Sequence, residues 1–509
     1  MRWIALALVG WLAIGVAHAD WYEATTPHVR VVAQGSEKNA RTLAERIERF
    51  DSAMRVLRGL GTPDFGPAGR LNIYVVRSAD AVSRLARSSN VAGFYIPRAG
   101  GSVAFVPQQS SGGGALALGS QAVLLHEYTH HFMYRNFPGA YPAWFVEGYA
   151  EFHATASFER DGSVVFGKPP LYRAYGLIEG NQLPIETLLE PAGTTLTTEE
   201  VDNLYGRGWM LLHMLTFSQE RRGQLSAYIA GIGGGRGSVD AARSAFGDLK
   251  LLNRELDRYV RQNLTAATIK AERINLPPIA VRRLSAPEEA MMDVHIASTR
   301  GVDRENALKL LPRARRAAAP HGEDTFAQGV LAEAEYDAGN FAEARDAAMR
   351  ALAAEPKSRQ GLVYHGMALA ALANAAGDTS PATHRAIIAP WQAANRLDPD
   401  DPRPMALIYA SFRHFGIDNP SIVKAIKYAQ TLAPEDAGLR FAAAGEFIRA
   451  GDLAAARPLI ASLAYDPHRG GSGKMAALLA MIDSADRQGA QTALTQLGDK
   501  PDAEGEDGN

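Results

Sequence analysis

The chain of 509 residues contains no cysteine, which excludes thiol nucleophiles, thiolate metal sites, iron–sulfur clusters and structural disulfides. A metal in this protein must sit on histidines and carboxylates. Basic excess is missing too: 53 Lys plus Arg stand against 55 Asp plus Glu. No surplus of positive charge therefore marks a binder of nucleic-acid backbone or anionic lipid. No apolar run reaches the ~20 residues that span a bilayer, so stable membrane insertion is not expected. What is present, 47% hydrophobic and 21% charged residues, is ordinary globular composition. The length exceeds one core, and about two to four domains are expected.

Residues 1–19 read as a secretory signal peptide. Arg2 gives the positive start, Trp3 to Val16 the apolar stretch and Ala17-His18-Ala19 a small-x-small cleavage site. The expected product begins at Asp20 and is periplasmic or secreted.

Residues 20–118 alternate β-rich runs (His28 to Ala33, Leu71 to Arg77, Ser102 to Val106) with helical patterns (Lys38 to Leu60, Ala79 to Arg87), the reading of a small α/β layer. Ser102 to Val106 is a candidate edge for pairing with an extended peptide. Gln108 to Gly114 is Ser/Gly-rich and reads as a mobile loop. Ser120 then suits the N-cap of an apolar helix to Asn136, which Pro138-Gly139 stops. Pro142 opens a second helix, Asp161-Gly162 turns a hairpin between Thr155 and Phe166, and further helices follow at Tyr205 to Phe217 and Asn253 to Asn263. These fill a helical part over 119–270, and 271–286 reads as a linker.

Over 287–490 the text is Ala-rich and helical, broken at Pro356, Pro399, Pro434 and Pro467, at intervals of 43, 35 and 33 residues. One unit is clear from Thr325 to Pro356, with a Gly339-Asn340-Phe341 turn and Ala344, Ala348 and Ala351. A period near ~34 residues with a boundary proline resembles the tetratricopeptide repeat, which implies a helical solenoid presenting a surface to a protein partner. Residues 491–509 read as a disordered acidic tail.

The chemistry gathers at His126-Glu127-Tyr128-Thr129-His130. Two histidines four apart on a helix stand about 40° apart around the axis and about 6 Å along it, so both imidazoles can face one ion. In this HExxH arrangement they ligate zinc, and the Glu takes a proton from the water that the metal acidifies. Chance would place about 0.02 such motifs in a chain of this composition. A third ligand must come from elsewhere, and Trp144-Phe145-Val146-Glu147-Gly148-Tyr149-Ala150-Glu151 offers two carboxylates on one face. Either Glu147 or Glu151 could serve, the other accepting the outer N–H of a ligating histidine.

An HExxH helix followed by Trp-x-x-Glu-Gly-x-Ala resembles the gluzincin metallopeptidases of the peptidase MA-like type, over about His28 to Asn263. The resemblance implies one zinc ion held by His126, His130 and Glu147, with Glu127 as catalytic base and Glu151 as a carboxylate behind the ligands. It also implies an oxyanion-stabilising tyrosine, for which Tyr205, read as beginning the next helix, is the candidate. Only sixteen residues separate His130 from Glu147, and no Gly-x-Met-Glu-Asn motif occurs, so the motif that holds a substrate's amino terminus in gluzincin aminopeptidases is missing. The implied fold is α+β: a gluzincin-like domain of small mixed sheet plus zinc-binding helices, followed by an all-α tetratricopeptide-like solenoid. The implied activity is hydrolysis of protein or peptide substrates within the chain. The rival expectation is an envelope scaffold whose repeats carry the function and whose zinc site is structural or inactive. His131 lies about 140° from His126 around the helix and is expected, like His153 and His213, to be structural. Arg207 is expected at the surface or in an ion pair.

Overall fold

The computed structural model describes residues 20–62, 66–88, 91–109, 117–178, 182–190, 196–466 and 473–498. The expected signal peptide, positions 110–114 of the Ser/Gly-rich loop and positions 499–509 of the expected tail lie outside them.

Strands β1 (Trp21–Thr25), β2 (Val29–Gln34), β3 (Leu71–Val76), β4 (Phe94–Ile96) and β5 (Val103–Pro107) form one sheet with β9 (Ala280–Arg283), in the order β4-β5-β3-β2-β1-β9. The inner strands carry apolar residues on both faces. Val31, Ile73 and Ala104 enter one core, while Val32, Tyr74 and Phe105 enter another on the opposite side. Strands buried on both faces are the kind that pair in parallel under helical cover, and β2, β3 and β5 do so. Helix α1 (Glu37–Arg58) makes the β2–β3 crossover. The Ser36 side chain caps its start by accepting from the Asn39 amide, and Gly59, at φ +67°, ends it in the left-handed conformation. Helix α2 (Ala79–Ala86) covers the other face with Val82.

Two differences from the sequence reading concern the sheet's edges. Ser102 to Val106 is not an edge, because β5 is paired on both sides. The edge is β4, antiparallel to β5, too short for a periodic signal. At the other end, the expected linker 271–286 contains β9, which pairs with β1 from Tyr22↔Arg283 to Thr25↔Ala280. Pro277-Pro278 reads as a breaker, and a four-residue strand with Arg282 and Arg283 carries no apolar run, so the sequence conceals it.

Helix α3 (Ser120–Asn136) joins α1 beneath the sheet, and α4 (Ala143–Ala154) packs on α3. Strands β6 (Ser157–Phe158) and β7 (Val164–Phe166) form the expected hairpin and pair with β8 (Ala267–Ile269). Around α4 lie α5 (Ala174–Ile178), α6 (Ile185–Leu189), α7 (Thr198–Phe217), α8 (Gln224–Gly233), α9 (Ser238–Phe246) and α10 (Leu249–Tyr259).

Beyond β9 the described chain is helical: α11 (Ala286–Arg300), α12 (Arg304–Ala318), α13 (Thr325–Asp337), α14 (Phe341–Ala354), α15 (Arg359–Ala376), α16 (Pro381–Leu397), α17 (Pro402–His414), α18 (Pro420–Leu432), α19 (Ala437–Ala450), α20 (Leu453–Ala464), α21 (Gly473–Asp483) and α22 (Arg487–Leu497). Each packs on the next, as in a repeat solenoid. The last extends the repeats past the expected boundary at 490, so 491–497 is helix, anchored by buried Leu494. The solenoid is attached at both ends. Met292 and Ile296 of α11 enter the sheet's outer core, while Phe441, Ile448 and Leu478 belong to the same core as α3, α4 and α7. Among the described residues no helix is long and apolar enough to cross a membrane.

Candidate metal centre

The histidines of α3 reach the carboxylate of α4. Glu147 Oε2 lies 3.3 Å from His126 Nε2 and 3.7 Å from His130 Nε2. Tetrahedral zinc with bonds of ~2.0–2.1 Å separates its ligand atoms by about 3.4 Å, so these spacings fit one such ion. One ligand atom from each of the three residues lies within 4.8 Å of the others. Burial alone lowers the pKa of His126, but the Glu147 hydrogen bond and the charges of Glu151, Glu127 and Glu147 raise it to about 9. Three carboxylates thus press on one imidazole, an environment that favours a cation there.

Helix α4 can come this close because of glycine. A Cβ on Gly148 would stand 2.4 Å from the carbonyl carbon of Gly208 on α7, and one on Gly208 would stand 2.6 Å from the Trp144 carbonyl oxygen. The glycine of the Trp-x-x-Glu-Gly sequence is therefore a contact between helix backbones. Trp144, fully buried, fixes the same helix by donating from Nε1 to the Tyr228 hydroxyl at 3.0 Å.

Close packing of α4 on α7 brings Tyr205 to the site, its ring stacked on His126 with centroids 5.9 Å apart. Tyr205 does not begin its helix as the sequence reading had it. α7 starts at Thr198 with a capping box of Thr197 and Glu200, so Tyr205 lies two turns further in. Burial first, then the charge of Glu147, push its pKa well above the ordinary tyrosine value, which keeps the hydroxyl protonated and able to donate.

Glu151 is held from behind the candidate ligands. Its Oε2 accepts from the Tyr172 hydroxyl at 2.6 Å, and its Oε1 accepts from Arg173 Nη2 at 2.9 Å and Nε at 3.1 Å. Oε1 also stands 3.7 Å from His126 Nδ1. Arg173 reaches Asp202 at 2.6 Å and lies over the Tyr205 ring at 4.7 Å. Sequence reasoning missed Tyr172, Arg173 and Asp202. They converge from a short turn and from α7, and no local spacing announces them.

The back of α3 is anchored by a separate buried network. Tyr128 donates to Asp51 Oδ1 at 2.8 Å, Arg55 donates to Asp51 Oδ2 at 2.6 Å, and His28 Nδ1 meets Glu48 Oε2 at 2.8 Å. His28, Glu48 and Asp51 also have metal-ligating spacing, but two basic and two acidic groups already balance there. His131 faces this side, with Nδ1 3.2 Å from the Tyr95 hydroxyl. His153 Nδ1 donates to the Tyr149 carbonyl at 2.7 Å, and His213 lies between the Tyr259 hydroxyl and the Thr265 carbonyl. Arg207 is fully buried and makes the expected ion pair, with Asp257 at 2.8 Å, while also donating to Asn253 and Gln182.

His126, Glu127, His130, Glu151 and Tyr205 line a cleft of about 420 Å³, and Gly93, Phe94 and Tyr95 line it as well. The edge strand β4 therefore borders the candidate metal-ligating residues.

No protein-family model and no curated protein matches the chain. Among solved structures it is similar to a thermophilic TPR protein of Thermus thermophilus, at 18% identity and a TM-score of 0.33, over 39% of this chain and 100% of that one.

Proposed function

We propose that the chain is an exported zinc metallopeptidase of gluzincin type that cleaves peptide bonds within unfolded or extended protein. The observation that carries the reading is the convergence of His126, His130 and Glu147 beside a cleft lined by His126, Glu127 and His130. A zinc ion supplies Lewis acidity, acidifying water and polarising a carbonyl. Glu127 takes a proton from the attacking water as its oxygen bonds to the scissile carbonyl carbon, and returns it to the amine as the C–N bond breaks. Tyr205 donates its hydrogen to the oxyanion. Glu151, fixed by Tyr172 and Arg173, holds the orientation of His126. The outer edge of β4 offers backbone pairing to an extended substrate, which supplies affinity with little side-chain selectivity.

The test compares the purified chain with Glu127→Gln on an unfolded protein substrate, with zinc content measured in both. Loss of at least ~10²-fold in turnover at equal zinc is expected for removal of a general base. Equal turnover by the two proteins would contradict the proposal.

A further inference from the structure

The turn joining β4 to β5 is seated among the repeat helices. Arg98 donates from Nη2 to the Thr299 carbonyl at the end of α11. The Ala99 amide donates to Asp436 Oδ2 at 2.6 Å, the N-cap of α19, and the Ala99 side chain joins the apolar cluster of Met405, Tyr409 and Leu439. The stem of Arg403, at the start of α17, lies so close on Gly100 that a Cβ there would fall 2.0 Å from Arg403 Nε. Ser102 Oγ contacts Glu435 Oε1 at 3.4 Å, and the same carboxylate oxygen accepts from Arg135 of α3 at 2.8 Å. Helices distant in sequence thus curve around one five-residue turn.

That turn adjoins a strand that lines the cleft. It ends β4, whose partners on β5 run from Phe94↔Phe105 to Ile96↔Val103. Just before β4, Gly93 packs so tightly on α3 that a Cβ would stand 2.2 Å from Val123 Cγ1 and 3.5 Å from Glu127 Cγ. A three-residue edge strand has little pairing of its own to hold it; α3 restrains it through Tyr95 and His131, and the turn adds restraint from the repeats.

We propose that the turn Arg98–Ser102 is an internal ligand of the repeat helices, and that the solenoid positions edge strand β4 along the cleft. Arg98 and Arg403 are then positioning residues. The importance of the cleft rests on the peptidase reading, but the mechanical link does not. A protein partner that occupied this face of the repeats would have to displace the turn and would release β4.

Hydrogen exchange followed by mass spectrometry on the full chain tests this without any hydrolysis assay. Arg98→Ala is compared with wild type, with Arg98→Lys, which keeps a donor for the Thr299 carbonyl, and with Arg313→Ala, which breaks only the exposed pair with Asp293. Exchange over 91–97 should rise at least ~10-fold in Arg98→Ala, return toward wild type in Arg98→Lys, and stay unchanged over β2 and β3. Arg403→Ala, made on the repeat side, should give the same local rise and decides the matter if Arg98→Ala fails to fold. The proposal is overturned if 91–97 keeps wild-type exchange in both alanine variants, or if β2 and β3 loosen equally with β4. Failure of the peptidase reading would leave these exchange results intact.

Discussion

Glu151 has every oxygen engaged before any metal is considered, by Tyr172 on one side and the Arg173 fork on the other. Removing that support releases the orientation of His126, so Arg173→Ala should weaken zinc affinity by about 10–100-fold while the ligand set stays complete. Competition with a chelator of known affinity measures it, and unchanged affinity would mean that Glu151 plays no part in holding the ligands. Tyr205→Phe should keep zinc and lower turnover by about 10²–10³-fold, the usual loss for one oxyanion donor. The residues of HExxH were legible because a helix imposes their relation within one turn. The partners of Glu151 were not, since nothing near Arg173 in sequence specifies which carboxylate it will meet.

Among elements, the meeting of α4 and α7 decides whether a site exists. Gly148→Ala would drive a methyl into the Gly208 backbone, and two packed helices cannot yield cheaply. A cost of about 1–3 kcal/mol is expected, read as a lowered melting temperature together with reduced zinc occupancy. Full occupancy at wild-type stability would refute the close-contact account. The sequence revealed α3, α4 and the hairpin because Pro142 and Asp161-Gly162 mark them. It misplaced the start of α7, where the Thr197–Glu200 capping box lies outside the apolar run. It also missed β4 and β9, whose places depend on pairing partners far along the chain.

Across the whole molecule, several buried histidines are held neutral. Burial lowers the pKa of His213 to about 4, and burial with the charges of Arg30 and Arg98 lowers that of His295 to about 3. Their unfolded value is near ~6.5, so their stabilising contribution is complete above that pH and is lost as the pH falls below it. His126 shifts the opposite way in the metal-free chain, and its contribution is constant below ~6.5. The melting temperature of metal-free protein should therefore fall steadily from pH 6.5 to 5, above the range where most carboxylates titrate. A flat profile over that interval would contradict the assignment of neutral, buried His213 and His295. The repeats were legible from their boundary prolines and alanine spacing. Their return onto the first domain through Phe441, Leu478 and the Arg98 turn was not, because long-range docking leaves no periodic trace.

The central claim is that two histidines of α3 and one glutamate of α4 grip a single cation. Metal content of the purified full chain, by elemental mass spectrometry for wild type and Glu147→Gln, tests it most directly. The account predicts one zinc per wild-type chain and less than about a tenth of that in the variant, with both proteins folded by circular dichroism. Wild-type protein that binds no zinc, or a Glu147→Gln protein that binds it equally well, would contradict the account.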